Sequence, residues 1–308
     1  MEIVVFGAGA LGSLVGGLLA REHSVTLVGR DPHVTAVRED GLRVTGAVET
    51  TVHPQATTDG TGLDADLAVV TVKAGDTATA AEQLATGDVE LVWSLTNGLV
   101  EERLCESLGD RVLAGTATYG AELPEPGVVC CTGVGELRVG ELAWGVNNHT
   151  DGDSEPSRRA QRTAAACRVA GLRATADPEM ATRRWRKLAV NAGINAVTAL
   201  ARVKNTALLE PISPVAARAA RETARVARAS DTDLAGEAAV EAVETVAAAT
   251  ADNQSSMLQD VRAGRPTEVD AINGAVVRRG EALGVETPTN RALTELLRLW
   301  AAANANTD

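Results

Sequence analysis

The chain has 308 residues, 45% of them hydrophobic and 23% charged, which predicts a folded protein large enough for two domains. Its 41 acidic residues against 29 lysines and arginines give a net charge of −12, which excludes binding to nucleic acid through a basic surface. The sequence has no apolar stretch as long as a membrane span and no basic leader. We therefore expect a cytoplasmic protein without membrane contact.

Cysteine and histidine usage gives no sign of a metal site or a disulfide framework. The four cysteines are Cys105, Cys130, Cys131 and Cys167. They lack C-x-x-C spacing and the density of disulfide-rich proteins, so we expect reduced thiols and no bound metal. The four histidines are His23, His33, His53 and His149. All fall in predicted loops or edges of the first half, where we expect structural or solvent-exposed roles.

Short β-branched runs alternate with helical segments through the first half of the chain. The runs are 3–6, 24–28, 67–72, 91–95 and 111–116, and the helices predicted between them are 11–21, 34–40, 77–85 and 100–108. This order predicts a doubly wound parallel sheet with right-handed crossovers. Further elements are predicted as antiparallel strands at 128–132 and 136–139, a polar loop over 147–157, a helix over 158–170 ended by Gly171, and a strand near 172–175.

The segment Asp177-Pro178-Glu179 offers an N-cap, a proline for the first helical position and an early acid, so a long helix is predicted to start here. Beyond it the chain is alanine-rich, and helices are predicted over 180–202, 214–229, 236–262 and 268–283. Thr267 and Asp270 fit a capping box, and Gly284 fits a C-terminal cap. We expect an α/β protein with an N-terminal Rossmann-type doubly wound sheet over residues 1–176 and an all-α domain over 177–308.

A glycine-rich turn lies between the first predicted strand and the first predicted helix. Its residues are Gly7, Ala8, Gly9, Ala10, Leu11 and Gly12, a G-x-G-x-x-G pattern. In that context the first glycine allows the tight turn, the second lets backbone approach a pyrophosphate, and the third lets the helix pack on the strand. The helix N-terminus then faces the phosphates. We predict a dinucleotide site here, the alternative being a merely structural turn.

The end of the second predicted strand bears on which nicotinamide dinucleotide binds. An NAD site usually has Asp or Glu there to bind the ribose hydroxyls, whereas this strand runs into Gly29-Arg30-Asp31. Arg30 can meet a 2′-phosphate with two parallel hydrogen bonds, which favours NADP(H). Two alternatives stay open: Arg30 pairs with Asp31 at the sheet edge, or Asp31 is itself the ribose acid. NAD therefore stays open as the cofactor.

Two further polar residues follow predicted strands, where ligands bind in open α/β sheets. Lys73 comes after the strand 67–72, and Asn97 precedes Gly98 after the strand 91–95. Because the two strand ends are adjacent, each residue supports the other as a contact on the cofactor side. The alternatives are an ordinary surface cation for Lys73 and an ordinary Asn-Gly turn.

Polar residues recur every four positions in the first helix of the second half. Lys187, Asn191 and Asn195 sit in an otherwise apolar stretch. Steps of four residues drift by only about 40° around a helix, so the three side chains form one polar stripe. Asparagine is a poor helix former, and burying its amide without a partner is costly, so we expect something polar to meet the stripe. An interdomain hydrogen-bonded network or a solvated face is the alternative.

A second polar group follows at Asn253, Ser256 and Asp260, and Glu268 starts the next predicted helix. Glutamate is common at helix starts because it interacts favourably with the helix dipole, so Glu268 alone indicates little. Together with the stripe at Lys187, these residues indicate a polar site in the second domain.

These segments resemble the ketopantoate reductase (2-dehydropantoate 2-reductase) family. The resemblance rests on the G-x-G-x-x-G turn, Val72-Lys73-Ala74, Asn97-Gly98, and the segments 187–195 and 255–274. It covers nearly the whole chain, and the last two segments are highly specific to the family. One departure is Ala196, which stands where the family often has proline and relaxes the helix kink there.

The resemblance implies NADPH-dependent reduction of ketopantoate to pantoate, in the pantothenate and coenzyme A biosynthetic route. The implied site residues are Lys187 as general acid, Asn191, Asn195, Asn253 and Ser256 around the substrate, Glu268 at its hydroxyl end, Lys73 and Asn97 on the cofactor side, and Asn205 with weaker support. The chemistry agrees, because the ketone oxygen that receives a hydride on its carbon also needs a proton. A desolvated lysine can release one and an arginine cannot.

Two other functions stay open. The same scaffold could reduce another small branched 2-keto acid, or it could serve a non-catalytic regulator that binds NADP(H). The presence of both Lys187 and Glu268 weighs against the regulator. A homodimer is compatible with the sequence, which does not define the oligomeric state.

Overall fold

The computed structural model describes residues 1–142, 155–209 and 211–305. The chain divides into two compact units: Met1–Thr96 with Val100–Ala181, and Asn97–Leu99 with the described residues from Thr182 onward. The first unit is α/β and the second is helical, which confirms the expected fold class. The expected domain boundary at residue 176 stays a prediction. His149 and residues 147–154 of the expected polar loop lie outside the described residues.

The first unit contains two sheets. The strands in its described part are β1 (Glu2–Phe6), β2 (Ser24–Val28), β3 (Leu42–Gly46), β4 (Thr50–Val52), β5 (Gln55–Thr57), β6 (Ala65–Val70), β7 (Val89–Ser94), β8 (Val112–Ala117), β9 (Gly120–Glu125), β10 (Val128–Gly133), β11 (Leu137–Gly140) and β12 (Ala174–Ala176). Eight of them form a sheet in the order β12-β11-β8-β7-β6-β1-β2-β5. The six strands from β5 to β8 in that order are mutually parallel, and β11 is antiparallel to β8.

Helices cover both faces of this sheet. They are α1 (Ala10–Leu19), α2 (His33–Asp40), α3 (Thr77–Leu84), α4 (Glu101–Leu108) and α5 (Arg158–Val169). Because side chains alternate along a strand, Ile3 and Val5 join one core with α1 and α5. Val4 and Phe6 join a second core with α3 and α4. The predicted doubly wound arrangement is therefore confirmed.

The second sheet has the order β4-β3-β10-β9, and only β10 among its members was predicted from the sequence. Strand β10 is antiparallel to β9 and parallel to β3. The two strands predicted as antiparallel at 128–132 and 136–139 are β10 and β11, which belong to different sheets. The strands β3, β4 and β9 are short or rich in Thr, Arg and Glu, so they lack the apolar runs that were used to find strands.

The second unit is built from helices, and its described residues from Thr182 onward contain no strand. The helices after residue 179 are α6 (Met180–Ala201), α7 (Pro214–Ala229), α8 (Gly236–Ala249), α9 (Ser256–Arg262), α10 (Asn273–Leu283) and α11 (Pro288–Ala305). Their shared core is dominated by alanine, with Leu, Val and Ile between. None of the helices in the described part of the chain combines the length and the hydropathy that a membrane span needs.

Several predicted helix boundaries are wrong or incomplete. The single helix expected over 236–262 is interrupted between α8 and α9, and the helix expected from residue 268 begins at Asn273. The expected Thr267–Asp270 capping box does not form, because the helix starts beyond both residues, and the Asp270 carboxylate pairs with Arg298. Helix α11 was not predicted. The C-terminal cap at Gly284 is confirmed, since the backbone of this residue has the left-handed helical conformation, with φ 69°.

Candidate active site

The glycine turn joins β1 to α1 and is fixed against the end of β2. The backbone N–H groups of Gly7 and Ala8 both donate to the Val28 carbonyl, at 2.9 and 2.8 Å. Gly7 has φ +113°, and a Cβ there would lie 2.7 Å from the Val72 nitrogen. Only glycine fits that position.

Gly12 and Gly9 differ in the space around them, since Gly12 is closely packed and Gly9 is open. A Cβ on Gly12 would lie 2.1 Å from the Gly7 oxygen and 2.5 Å from Thr71 Oγ1, so helix α1 approaches the end of β1 as closely as glycine permits. A Cβ on Gly9 would have no neighbour within 4 Å. The Gly9 backbone therefore borders open space at the start of α1, where the first N–H groups have no helical partner.

A cavity of about 390 Å³ lies beside this turn. Among the predicted cofactor residues, Gly7, Ala8, Gly9, Arg30 and Lys73 line it, whereas Ala10, Leu11, Gly12 and Asn97 do not. The rest of its lining comes from the ends of β1 and β2, Thr58 after β5, residues 71 and 72 after β6, Asp76, and two residues of α3, Thr79 and Gln83. Backbone N–H groups and cationic side chains on one wall suit a phosphate-bearing ligand.

Arg30 pairs with Asp76 across the cavity wall, with Nη2 donating to Oδ2 at 2.9 Å. The expected alternative that Arg30 pairs with Asp31 is wrong. Asp31 Oδ1 instead accepts from the backbone N–H and the hydroxyl of Thr35 in α2, at 3.1 and 2.7 Å. Asp31 is thus engaged in helix α2 and does not line the cavity.

Asn97 belongs to the second unit, together with Gly98 and Leu99. Its Nδ2 donates to Glu268 Oε2 at 3.1 Å, so two predicted site residues from distant parts of the sequence are in contact. Gly98 packs tightly there, since a Cβ on it would lie 2.2 Å from the Ala271 oxygen, and its own carbonyl accepts from Arg184. Leu99 packs against the helical core. The Asn-Gly pair is therefore more than an ordinary exposed turn.

The polar stripe predicted on α6, formed by Lys187, Asn191 and Asn195 and called here the α6 polar face, lies on one uninterrupted helix. Lys187 and Asn191 are half-buried, and Asn195 is 7% exposed. Among described residues, the amide groups of Asn191 and Asn195 make no hydrogen bond. Amides in such surroundings are available to a polar ligand. The helix passes through Ala196 without a break.

Hydrogen bonds attach α9 and α10 to α6 close to this face. Ser255 Oγ lies 2.7 Å from Thr198 Oγ1 and also caps α9 by accepting from the Leu258 N–H. Asn273, the first residue of α10, donates to the Ala192 carbonyl at 3.1 Å. These bonds bring the start of α9, with Ser256, and the turn before α10 to the helix that carries the face.

The remaining predicted substrate residues are distributed around α9. Asn253 and Ser256 are exposed, and the Asn253 carbonyl accepts from the Asn205 N–H at 3.1 Å. Asn205 is itself buried, with its Nδ2 donating to Thr250 Oγ1. Asp260 is buried and pairs with Arg265 at 2.9 Å. Glu268 is half-buried in the turn before α10, where its carbonyl accepts from the N–H groups of Ala271 and Ile272.

The structure adds polar residues that the sequence analysis missed. Asp76 and Arg184 are the clearest, because each contacts a predicted site residue or its neighbour. A sequence signal existed for Asp76, because it lies three residues after Lys73 and directly before the helix predicted from residue 77. None existed for Arg184, which lies in an arginine-rich stretch.

The described cysteines and histidines take no part in these contacts. The described chain contains no group of three or more His, Cys, Asp or Glu side chains placed to hold a metal. All four cysteines are free, and burial raises the pKa of Cys167 to about 12. Among the histidines, His33 is buried, and His23 hydrogen-bonds the Ala166 carbonyl. The cysteines remain without an assigned role.

Family models match both parts of the chain. The model described as ketopantoate reductase PanE/ApbA matches residues 3–144, and its C-terminal counterpart matches residues 179–301. The chain belongs to the ketopantoate reductase family. It is therefore an enzyme, an oxidoreductase of this family.

Relatives and solved structures match this chain over nearly its full length. The chain is 45% identical to the 2-dehydropantoate 2-reductase of Halobacterium salinarum, with 97% of this chain and 98% of the relative aligned. A PanE/ApbA family ketopantoate reductase from Ralstonia eutropha superposes with a TM-score of 0.86 at 31% identity, covering 99% of this chain and 100% of that one. A D-mandelate dehydrogenase solved with NADH and anilino(oxo)acetate also gives 0.86, at 26% identity and 99% coverage of both chains.

Proposed function

We propose that this enzyme reduces 2-dehydropantoate (ketopantoate) to pantoate with NADPH, in the pantothenate and coenzyme A biosynthetic route. Relatives such as the Halobacterium salinarum protein carry the name of that activity over nearly the whole chain. In this proposal residues 1–176 bind the cofactor, residues 177–308 bind the substrate, and the enzyme acts in the cytoplasm.

The cavity beside the glycine turn suits an NADP(H) molecule. Its open wall at Gly9 leaves room for a pyrophosphate at the N-terminus of α1, and Arg30 and Lys73 supply positive charge for a 2′-phosphate. When bound, the reduced nicotinamide supplies a hydride to the keto carbon. The residues of this chain hold the cofactor and orient it.

The α6 polar face is the observation that carries the substrate assignment. Lys187 donates the proton to the ketone oxygen, and its ammonium stabilises the negative charge that develops there. The amides of Asn191 and Asn195 have no protein partner in the described chain, so they can hold the carboxylate and the ketone of a small keto acid.

The remaining proposed contacts surround this face. Asn253 and Ser256 complete the substrate site, and Ser256 follows the Ser255 that anchors α9 to α6. Glu268 binds the hydroxyl group of ketopantoate, with Asn97 holding one of its carboxylate oxygens.

A panel of 2-keto acids tests the substrate. We would measure kcat/KM for ketopantoate, 2-ketoisovalerate and phenylglyoxylate with NADPH and with NADH. We expect ketopantoate with NADPH to exceed the other two acids by about 100-fold or more, because a substrate without the hydroxyl leaves Glu268 without its partner. A higher kcat/KM for 2-ketoisovalerate would identify a reductase of another branched keto acid.

A second candidate is supported by the D-mandelate dehydrogenase structure, which has the same TM-score as the ketopantoate reductase. Its NADH and aryl-substituted ligand suggest an aromatic keto acid with NADH for this chain. The highest kcat/KM with phenylglyoxylate and NADH would favour that candidate. Tight NADPH binding without turnover of any acid would favour a non-catalytic regulator.

A further inference from the structure

Asp76 occupies a helix-start position but does not cap the helix. It immediately precedes α3, where an aspartate usually accepts from backbone N–H groups, yet its side chain makes no such bond. Its Oδ2 accepts instead from Arg30 Nη2 at 2.9 Å. The carboxylate is therefore directed to the arginine that is proposed to bind the 2′-phosphate.

Both partners of this ion pair face the cavity and solvent. The Arg30 side chain is 84% exposed and that of Asp76 is 47% exposed, and both line the cavity with Lys73. An exposed pair of this kind contributes little to folding stability, so a ligand can replace one partner at small cost. A contribution to folding stability would not explain why the Arg30–Asp76 pair lies in the wall of the proposed cofactor cavity.

We propose that Asp76 is a specificity-determining residue that lowers the enzyme's preference for NADPH over NADH; this rests on the proposed cofactor role of Arg30. Its carboxylate competes with a 2′-phosphate for the Arg30 guanidinium, and it repels the phosphate because both are anionic. With NADH, the same carboxylate accepts a hydrogen bond from the ribose 2′-hydroxyl. The Arg30–Asp76 pair thus offers a cation to one cofactor and an acceptor to the other.

The test is Asp76→Asn, with Glu82→Gln as the matched control. Glu82 is exposed on α3, the helix that Asp76 precedes, and does not line the cavity, so its variant removes one negative charge nearby without touching the pair. Dissociation constants for NADPH and NADH would be measured by fluorescence titration, and those for 2′,5′-ADP and 5′-AMP by competition. We expect Asp76→Asn to raise the NADPH-to-NADH preference about tenfold, the scale of one short-range charge interaction.

The same shift is expected between 2′,5′-ADP and 5′-AMP, while Glu82→Gln leaves both ratios unchanged. A ratio in Asp76→Asn that is unchanged or falls overturns the proposal, and so does an equal shift in Glu82→Gln. Thermal melting checks the fold of each variant. Asp76→Ser, which also removes the charge, must repeat the result.

Arg30→Ala separates this proposal from the proposed cofactor role on which it rests. If Arg30→Ala leaves the NADPH-to-NADH ratio unchanged, the role of Arg30 fails. If Arg30→Ala lowers the ratio while Asp76→Asn has no effect, that role stands and the inference about Asp76 fails. In the Arg30→Ala background, competition predicts that the gain from Asp76→Asn shrinks to about twofold, since only the direct repulsion of the 2′-phosphate and the contact with the ribose hydroxyl remain.

Discussion

The cavity beside the glycine turn in the first unit and the α6 polar face of the second unit present polar groups of different kinds. At the glycine turn the groups are backbone N–H donors at the start of α1. The glycines there have no side chain, which leaves this backbone accessible. On α6 the groups are the side chains of Lys187, Asn191 and Asn195, carried by a regular helix. Backbone recognition is generic and suits a cofactor shared by many enzymes, whereas side-chain recognition can define one substrate.

The hydrophobic cores of the two units also differ in the side chains that they contain. The sheet unit buries large aliphatic side chains and Trp93, while the helical unit packs many alanines and places hydrogen-bonded polar groups between its helices. Glu222 of α7 is the centre of one such group. The helical unit therefore depends more strongly on individual polar contacts, and four predictions examine this contrast.

The largest expected effect is at Lys187. We expect Lys187→Ala to lower kcat by about 1,000-fold or more while NADPH binding stays within a factor of about two, because the variant loses the proton donor and not the cofactor cavity. Lys187→Arg should fail to restore turnover, since arginine keeps its proton. Steady-state kinetics and cofactor titration measure both quantities.

The control is Lys204→Ala, which removes an exposed lysine whose Nζ lies 3.9 Å from Asp252 Oδ1. It should leave kcat and cofactor binding unchanged. Turnover near the wild-type level in Lys187→Ala would remove the α6 polar face from the chemistry.

The next effect concerns stability of the helical unit. The Glu222 carboxylate is 3% exposed and accepts from the N–H groups of Thr289 and Asn290 and from Asn290 Nδ2, at 2.8 to 2.9 Å. It thereby satisfies the first free donors of α11. We expect Glu222→Ala to lower the free energy of unfolding by about 3 kcal/mol, measured by urea denaturation.

Glu244→Ala is the matched control, because this glutamate is exposed on α8. A loss of stability in Glu222→Ala no larger than in Glu244→Ala would show that the helical core does not depend on the buried carboxylate.

A third prediction separates affinity from stability within the glycine turn. Gly9→Ala adds a Cβ into space that is empty in the protein, so the melting temperature should change little. The same Cβ would occupy the approach of a pyrophosphate, and we expect the dissociation constant for NADPH to rise about 30-fold. Gly133→Ala, which also adds a Cβ into open space but away from the cavity, should affect neither quantity. Unchanged NADPH affinity in Gly9→Ala would argue against backbone recognition there.

The smallest effect is a pH dependence from His33. Its Nδ1 accepts from the Gly127 N–H at 3.1 Å, so the neutral ring carries its proton on Nε2 and donates to Ser13 Oγ in α1 at 3.0 Å. Burial lowers the His33 pKa below 6.5. The unfolded chain therefore binds this proton at higher pH than the folded protein does. The contribution of His33 is complete above pH 6.5 and is lost as the pH falls from there toward the lowered pKa.

Thermal melting between pH 7.5 and 5.5 should show this loss, and His33→Gln should reduce it. His53→Gln, at an exposed histidine, should leave the pH dependence as it is. An identical pH dependence in the wild type and His33→Gln would exclude His33 as its source.

The sequence predicted those features whose physical requirement is local. The glycine turn needs three glycines within six residues, and the α6 stripe needs polar residues four apart on one helix, so both patterns are visible without a structure. Five parallel strands of the larger sheet, β1, β2, β6, β7 and β8, were found for a similar reason, since strands buried on both faces are continuous apolar runs. The three-residue strand β5 has no such run and was missed.

Long-range pairing and helix interruptions could not be predicted in this way. Asp76 meets Arg30 only because the sheet order brings the ends of β2 and β6 to the two sides of β1. The segment between α8 and α9 was predicted as helix because 236–262 is alanine-rich and helical in period, although Ser255 supplies an N-cap. The contact between Asn97 and Glu268 joins residues that are 171 positions apart.

The three residues Asn97–Leu99 have a consequence for dividing or recombining this protein. They lie in the sequence between β7 and α4 of the sheet unit, yet they belong to the helical unit through Glu268, Arg184 and the core contacts of Leu99. A gene fragment that starts at Thr182 would therefore encode the helices without the three residues that contact Glu268, Arg184 and the helical core. A chimera made with a related enzyme should take residues 97–99 from the parent that provides the helices.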